Sequence, residues 1–394
     1  MLVVGAGIGG LAAAICARRL GLDVTVYEQA DELREVGAGI QLAPNATRIL
    51  HGLGLAEPLA RVAARPAAAV LRRWDDGRQL WSQPLGDAIE GRFGAPYYHL
   101  YRPDLLAVLG AALPADAVRL GHRVVAIEDG PAGIALRFAD GAGAEGDAVV
   151  GADGIHSLVR ARAMGADAPR FSGSIAYRGL VPAERVADLR LPVVSNTWLG
   201  PERHFVHYFV AAARLLNWVA IVPGRGWQVE SWSATGEIAD ALAEFAGWHG
   251  QVRAIIGAAD RTHRWALYDR EPLPRWTAGR ATLLGDAAHA MLPFLAQGAC
   301  QAIEDAVVLA RCLAAATPAT APAALARYEA IRKPRASRVQ AGSRGNATTY
   351  HLPDGPAQQE RDAAYTASMA VDPFAARGWL FEHDAAAEAG AVTS

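Results

Sequence analysis

Apolar and polar positions divide the chain into stretches of distinct period. Leu2 to Val4 is a short unbroken apolar run bounded by glycine, and Leu11 to Leu20 is a longer Ala-rich one. The first has the length of a buried strand and the second that of a helix. Asp23 to Glu28 alternates and ends in an acid, so the opening predicts strand, helix, strand, the unit of a parallel sheet. Ala69 to Trp81 alternates about Asp75-Asp76-Gly77 and predicts a hairpin. Arg102-Pro103-Asp104 opens a helix over Leu105 to Leu113, with proline and an acid suited to a first turn. Residues 118–150 read as strands joined by Gly-rich turns and lead into Val149-Val150-Gly151-Ala152-Asp153-Gly154. From 171 to 275 alternation dominates, helical periodicity is rare, and most of the ten tryptophans occur. Helices follow over Gln301 to Ala316 and Ala323 to Ser343, and Pro353-Asp354-Gly355-Pro356 marks a break.

This order predicts an α/β (α+β) chain with a discontinuous, Rossmann-like dinucleotide-binding domain over 1–68, 99–170 and 276–345. An inserted β-sheet substrate domain takes 69–98 and 171–275. A C-terminal helical arm takes 346–394; Trp379 and Phe381 equip it to cap a pocket or to pair with a second copy, so monomer and homodimer both stay open.

The formal net charge is −2, which gives no electrostatic case for nucleic acid or an anionic membrane as partner. Cys16, Cys300 and Cys312 have neither disulfide-framework nor metal spacing. No apolar run approaches the roughly 20 residues of a membrane span. With a strand rather than a leader at the N-terminus, a cytoplasmic protein is expected, with no metal site.

Gly5, Gly7 and Gly10 fit G-x-G-x-x-G between the first strand and helix, where helix amides meet a pyrophosphate. Glu28 falls 18 residues beyond Gly10, near the spacing of about 20 for an acid that binds a ribose hydroxyl. This motif does not separate NAD from FAD. Asp286 follows an apolar run, Ala281 to Leu284, and so faces the crevice at a strand's carboxyl end. Gln297-Gly298-Ala299 then open a helix whose N-terminus carries about half a positive charge.

Three motifs therefore occur in order: Gly5-x-Gly7-x-x-Gly10, Asp153-Gly154 through Arg160, and Gly285-Asp286 with His289, Pro293, Gln297 and Gly298. Together they resemble the single-component (group A) FAD-dependent aromatic hydroxylases, of the p-hydroxybenzoate hydroxylase fold. Gly39 to Ala46 and Ala296 to Cys300 are similar to the salicylate hydroxylase and 3-hydroxybenzoate 6-hydroxylase branch. The resemblance implies bound FAD, NADH or NADPH as a transient co-substrate, and O2. It implies a flavin C4a-hydroperoxide that hydroxylates a small phenolic aromatic substrate, a hydroxybenzoate or salicylate-like acid. A heteroaromatic or natural-product ring is the alternative, and a non-hydroxylating oxidase or sensor is the alternative of another class. It further implies cofactor contacts from Arg34, Arg102, Asp153, Gly154, Asp286, Pro293, Gly298 and Ala299. The chain departs at Ala290 and Phe209, where many members have proline, both expected to border the active site.

A phenol has a pKa near 10, so hydroxylation near neutral pH needs a group that accepts or polarises its proton. If Arg203 to Phe209 is a strand, His204, Val206 and Tyr208 share one face and Phe205, His207 and Phe209 the other. The His204–Tyr208 spacing resembles a pair lining the 3-hydroxybenzoate 6-hydroxylase pocket, and Gln297 resembles its glutamine. On that likeness His204 is the base or phenol partner, Tyr208 orients the ring or a carboxylate, and Gln297 bonds the substrate hydroxyl. His207 is the candidate if the other face lines the pocket. Arg178 and Arg203 are candidate cations for a carboxylate, and His289 shapes its loop.

Overall fold

The computed structural model describes residues 1–33, 37–130, 133–165, 167–224 and 235–391. Leu2–Val4 lies at the centre of a five-stranded parallel sheet, with Val149–Gly151 and then Ala281–Leu283 on one side and Thr25–Tyr27 and then Val118–Arg119 on the other. The strands are short and fully buried at the centre, as in a sheet covered on both faces. Helix Ile8–Arg19 packs against helix Gly298–Ala314. Gly9 permits the contact, since a Cβ there would lie 2.6 Å from Leu284 and 3.2 Å from Ala302.

The second sheet has eight strands. In order across the sheet they are Thr235–Gly236, Thr262–Asp269, Arg170–Pro182, Leu215–Pro223, Arg203–Val210, Ser195–Gly200, Ala68–Arg73 and Gln79–Pro84. The early hairpin thus joins the later run through a parallel pairing of Ala68–Arg73 with Ser195–Gly200. One face of this sheet packs into an aromatic core with Phe205, Trp218, Phe245 and Trp248. That core includes two helices, Ile238–Glu244 and Gly250–Gly257, in a stretch expected to be mostly strands. Ala241, Phe245, Trp248, Val252 and Ile256 recur three or four apart and are buried, a helical period that the neighbouring strand alternation masks. Trp227 and Trp232 lie outside the described residues.

The helix expected over Ala323 to Ser343 runs from Ala321 to Tyr350, past the boundary expected at 345. Side-chain bonds hold its last turns: Gln340 Nε2 donates to the Ala290 carbonyl at 3.1 Å, and Asn346 Nδ2 to the Phe294 carbonyl at 3.0 Å. Tertiary contact, rather than propensity, extends it through Gly345. The arm then continues in helices Pro356–Ser368, Gly378–Phe381 and Ala385–Ala391.

Candidate active site

A cavity of about 710 Å³ is lined by the Gly5–Gly9 turn, the carboxyl ends of the parallel strands, the loop from Met291 to Ala299 and one face of the large sheet. At its nucleotide end, a Cβ on Gly7 would meet nothing within 4 Å, while one on Gly10 would meet the Gly5 carbonyl oxygen at 2.0 Å. Gly10 therefore lets helix sit on strand, and Gly7 leaves the helix N-terminus open to the cavity. Glu28 accepts from the Ala6 amide at 2.8 Å and the Ala30 amide at 3.0 Å, which fix its carboxylate at the cavity wall. Asp286 is exposed to the cavity just beyond strand Ala281–Leu283, and Arg102 lines it from the first turn of its helix. An open amide-lined turn, with one acid beyond the end of strand Thr25–Tyr27 and another beyond strand Ala281–Leu283, fits the pyrophosphate and ribose of a dinucleotide. Arg34 lies outside the described residues.

Asp153 also lines the cavity, but its carboxylate is engaged locally. It accepts from Ser157 Oγ at 2.5 Å and from the Leu158 and Val159 amides at 2.8 and 3.2 Å. Burial raises its pKa against the pull of those donors. It anchors the start of helix Leu158–Met164, and Gly154, at φ +74°, turns the chain beside it. Asp153 thus shapes the turn at the cavity's edge.

The middle of the cavity is bounded by Pro293–Leu295, Ala296 in the left-handed region and the N-terminus of helix Gly298–Ala314. A Cβ on Gly298 would meet only Asp286 Oδ1, at 4.0 Å, so the first amides of the helix are open to a flat ring. A buried ion cluster holds this helix. Arg332 donates to Glu304 at 2.6 Å and to Asp305 at 2.8 Å, and His289 Nε2 lies 2.6 Å from Asp305. Burial alone would raise both carboxyls, but Arg332 with Arg335 holds Glu304 below its ordinary pKa, and His289 with Arg332 does so for Asp305. His289 thus ties its own loop to the helix. Gln297 is buried, and its Oε1 accepts from Asn45 at 3.0 Å and Gln301 at 3.2 Å, which leaves only its amide nitrogen for a substrate hydroxyl.

Strand Arg203–Val210 settles the two faces. His204, Val206 and Tyr208 line the cavity; His207 lies on the aromatic-core side, its ring centroid 5.9 Å from that of Phe205. Register extends the cavity face sideways: His204 is opposite Ile221, itself opposite Ala176, and Val206 is opposite Val219, itself opposite Arg178. Arg178 is buried, lies over the Trp265 ring at 4.4 Å and lines the cavity. Arg203 instead pairs with Glu244 at 2.8 Å and is absent from the lining. Neither departure borders the cavity: Phe209 packs into the aromatic core, and the Ala290 carbonyl is bonded by Gln340.

Burial lowers His204 well below the ordinary histidine pKa, with a smaller contribution from His351, whose Nε2 lies 2.7 Å from His204 Nδ1. His204 is therefore neutral, with Nε2 as the atom left for a ligand. Burial raises Tyr208, against the Gln41 side chain, so its hydroxyl stays protonated. Burial raises the Cys300 thiol to about 12, which makes it an apolar filler rather than a nucleophile. Sequence reasoning missed His351 and the cavity-lining Arg377, because each reaches the site from a distant segment with no motif of its own, and it gave Gln41 no role although that residue lies within the Gly39 to Ala46 motif.

The model of the FAD binding domain family matches residues 1–343. The chain is 47% identical to the 3-amino-4-hydroxybenzoate 2-monooxygenase PtmB3 of Streptomyces platensis over 98% of its length and 96% of that protein. It is 38% identical to a 6-hydroxynicotinate 3-monooxygenase of Bordetella bronchiseptica over 87% of its length and 90% of that protein. A salicylate hydroxylase substrate complex superposes with a TM-score of 0.83 at 29% identity, covering 99% of this chain and 96% of that one. The fold is shared with that hydroxylase, and the chain belongs to the FAD-binding-domain family of group A aromatic monooxygenases.

Proposed function

We propose that this enzyme hydroxylates a small aromatic acid bearing a ring hydroxyl, with an amino-hydroxybenzoate as the leading candidate and a hydroxypyridine acid as the second. The supporting observation is that one sheet face carries a neutral imidazole acceptor, His204, and a buried cation, Arg178, two strands apart. Strand spacing puts their backbones about 10 Å apart across the sheet and one pleat repeat, about 7 Å, along it. A flat ring with a hydroxyl on one side and a carboxylate on the other suits that separation, and the ring acids acted on by the Streptomyces and Bordetella relatives have both groups.

Bound FAD supplies the redox chemistry, taking electrons from NAD(P)H and delivering one oxygen atom of O2 to the ring. The open amides from Gly298 onward would hold the flavin's pyrimidine edge, with Asp286 and Glu28 on its hydroxyls and the Gly7 turn on its pyrophosphate. His204 Nε2 accepts the ring hydroxyl proton, and Tyr208 donates from the same strand face. The amide nitrogen of Gln297 is a further donor, and Arg178 binds the carboxylate. The apolar walls, Val206, Val219, Ile221, Trp265 and Phe294, keep water from the reacting atoms. The three free, buried thiols support a cytoplasmic location.

The test is NADH and NADPH oxidation with 3-amino-4-hydroxybenzoate, 6-hydroxynicotinate and their carboxamides. Arg178→Gln raises KM for the acids by about 10- to 100-fold and for the carboxamides little, as loss of a charge-assisted pair dictates. Equal loss for acids and amides rejects Arg178 as the anchor.

A further inference from the structure

His204 forms one wall of the cavity, yet its second nitrogen points to another imidazole rather than to a backbone carbonyl or a carboxylate. His204 Nδ1 and His351 Nε2 are 2.7 Å apart, a full hydrogen bond. The two rings are 4.9 Å apart at their centroids, 27° from parallel, with Phe294 against both. His351 caps the C-terminus of helix Ala321–Tyr350, and its carbonyl accepts from the Glu202 amide at 3.1 Å, pinning it to the turn before the His204 strand. Unlike His204, it is partly exposed, and it does not line the cavity. The pair therefore leads from cavity to solvent.

We propose that His204 and His351 form a two-imidazole relay that carries the ring hydroxyl proton of the substrate to solvent. The proposal rests on the reading of the site as one for a hydroxylated ring. A neutral imidazole both donates and accepts. With protons on His204 Nδ1 and His351 Nδ1, the substrate O–H gives its proton to His204 Nε2 as the O–H bond breaks. The Nδ1 proton of His204 passes to His351 Nε2, and the Nδ1 proton of His351 leaves to water. One proton leaves the substrate and one enters solvent, and each ring ends neutral with its proton moved to the other nitrogen. Transfer in the reverse direction, as the product hydroxyl is protonated, restores the starting tautomers. No imidazolium has to persist, which matters because burial opposes one in both rings: His204 is well below its ordinary value, and His351 is lowered to about 4. A lone buried histidine would have to hold the charge; the pair does not.

The experiment mixes FAD-loaded enzyme, without NAD(P)H, with 3-amino-4-hydroxybenzoate and follows phenolate absorbance and proton release to a pH indicator. In His351→Gln, the amide fills the space but cannot pass a proton from one nitrogen to another. Phenolate formation and kcat should fall by about 10- to 100-fold, with KM, flavin content and melting temperature held. In His351→Ala, added imidazole should restore the rate in proportion to its concentration, which a structural role would not produce. Wild-type ionisation rates and kcat in His351→Gln, or an alanine variant indifferent to imidazole, overturn the relay alone. Wild-type enzyme that binds the ring acid without ionising it overturns both the relay and the reading of His204 beneath it.

Discussion

His204 and His207 are three residues apart on one strand, chemically identical and both buried, yet only His204 meets the cavity. Strand geometry decides this, because side chains alternate and an odd separation puts the two on opposite faces. His204→Gln should lower kcat per bound flavin by about 100-fold, the usual contribution of a positioned proton acceptor. His207→Asn should leave kcat per bound flavin unchanged and cost about 1–3 kcal/mol of stability, since it disturbs a packed core. Kinetics referenced to flavin content, with a denaturant melt, checks both. The alternation was legible in the sequence; the choice of face was not, because both faces are rich in apolar and aromatic residues. His351 was illegible for another reason: its meaning comes from a partner 147 residues away.

At the scale of elements, the opening strand was read to the residue and the helix after it to within three at its start, since glycine spacing fixes where a chain can turn beneath a pyrophosphate. The same glycines separate folding from binding. Gly7→Ala should leave the stability of the flavin-free protein within about 1 kcal/mol of wild type, because a methyl there meets no atom and only the poorer N-cap propensity of alanine is felt. It should nonetheless weaken FAD by at least about tenfold, roughly 1.4 kcal/mol, by filling the approach to the helix amides. Gly10→Ala should do the reverse and destabilise the fold by about 1–3 kcal/mol, since its methyl would collide with the Gly5 carbonyl. Flavin titration and thermal melts of both apoproteins decide. The two helices after Thr235–Gly236 and the extension of the long helix to Tyr350 were less legible. Both owe their form to what they pack on, the far side of the sheet in one case and the Met291–Ala299 loop in the other.

Across the whole molecule, the buried histidines make stability a function of pH. Burial lowers His99 and His207 to about 3 and His351 to about 4, and takes His204 well down, each from an ordinary value of 6.5. These groups are neutral in the folded state and protonate on unfolding, so the unfolded chain binds more protons below pH 6.5. Stability is then fully present above that pH and is lost as pH falls from about 6.5 toward 3, by up to about 1.4 kcal/mol per pH unit for each histidine. Urea melts from pH 8 to 5 should show a stability that falls monotonically below about pH 6.5. A flat profile contradicts the buried neutral state of these rings. The charge balance and cysteine pattern set expectations only at this scale; they did not locate the site, which the meeting of two sheets and a C-terminal helix creates.

The central claim is that this cavity transfers an oxygen atom from O2 to a hydroxylated aromatic acid. The most direct measurement supplies isotopically labelled dioxygen, NADH or NADPH and 3-amino-4-hydroxybenzoate or 6-hydroxynicotinate to the FAD-loaded enzyme, with mass analysis of the product. The account predicts a product heavier by one labelled oxygen, or one in which a labelled hydroxyl replaces the carboxyl group, formed mole for mole with nicotinamide oxidised. Nicotinamide oxidation that yields hydrogen peroxide and unlabelled ring with every acid would contradict it.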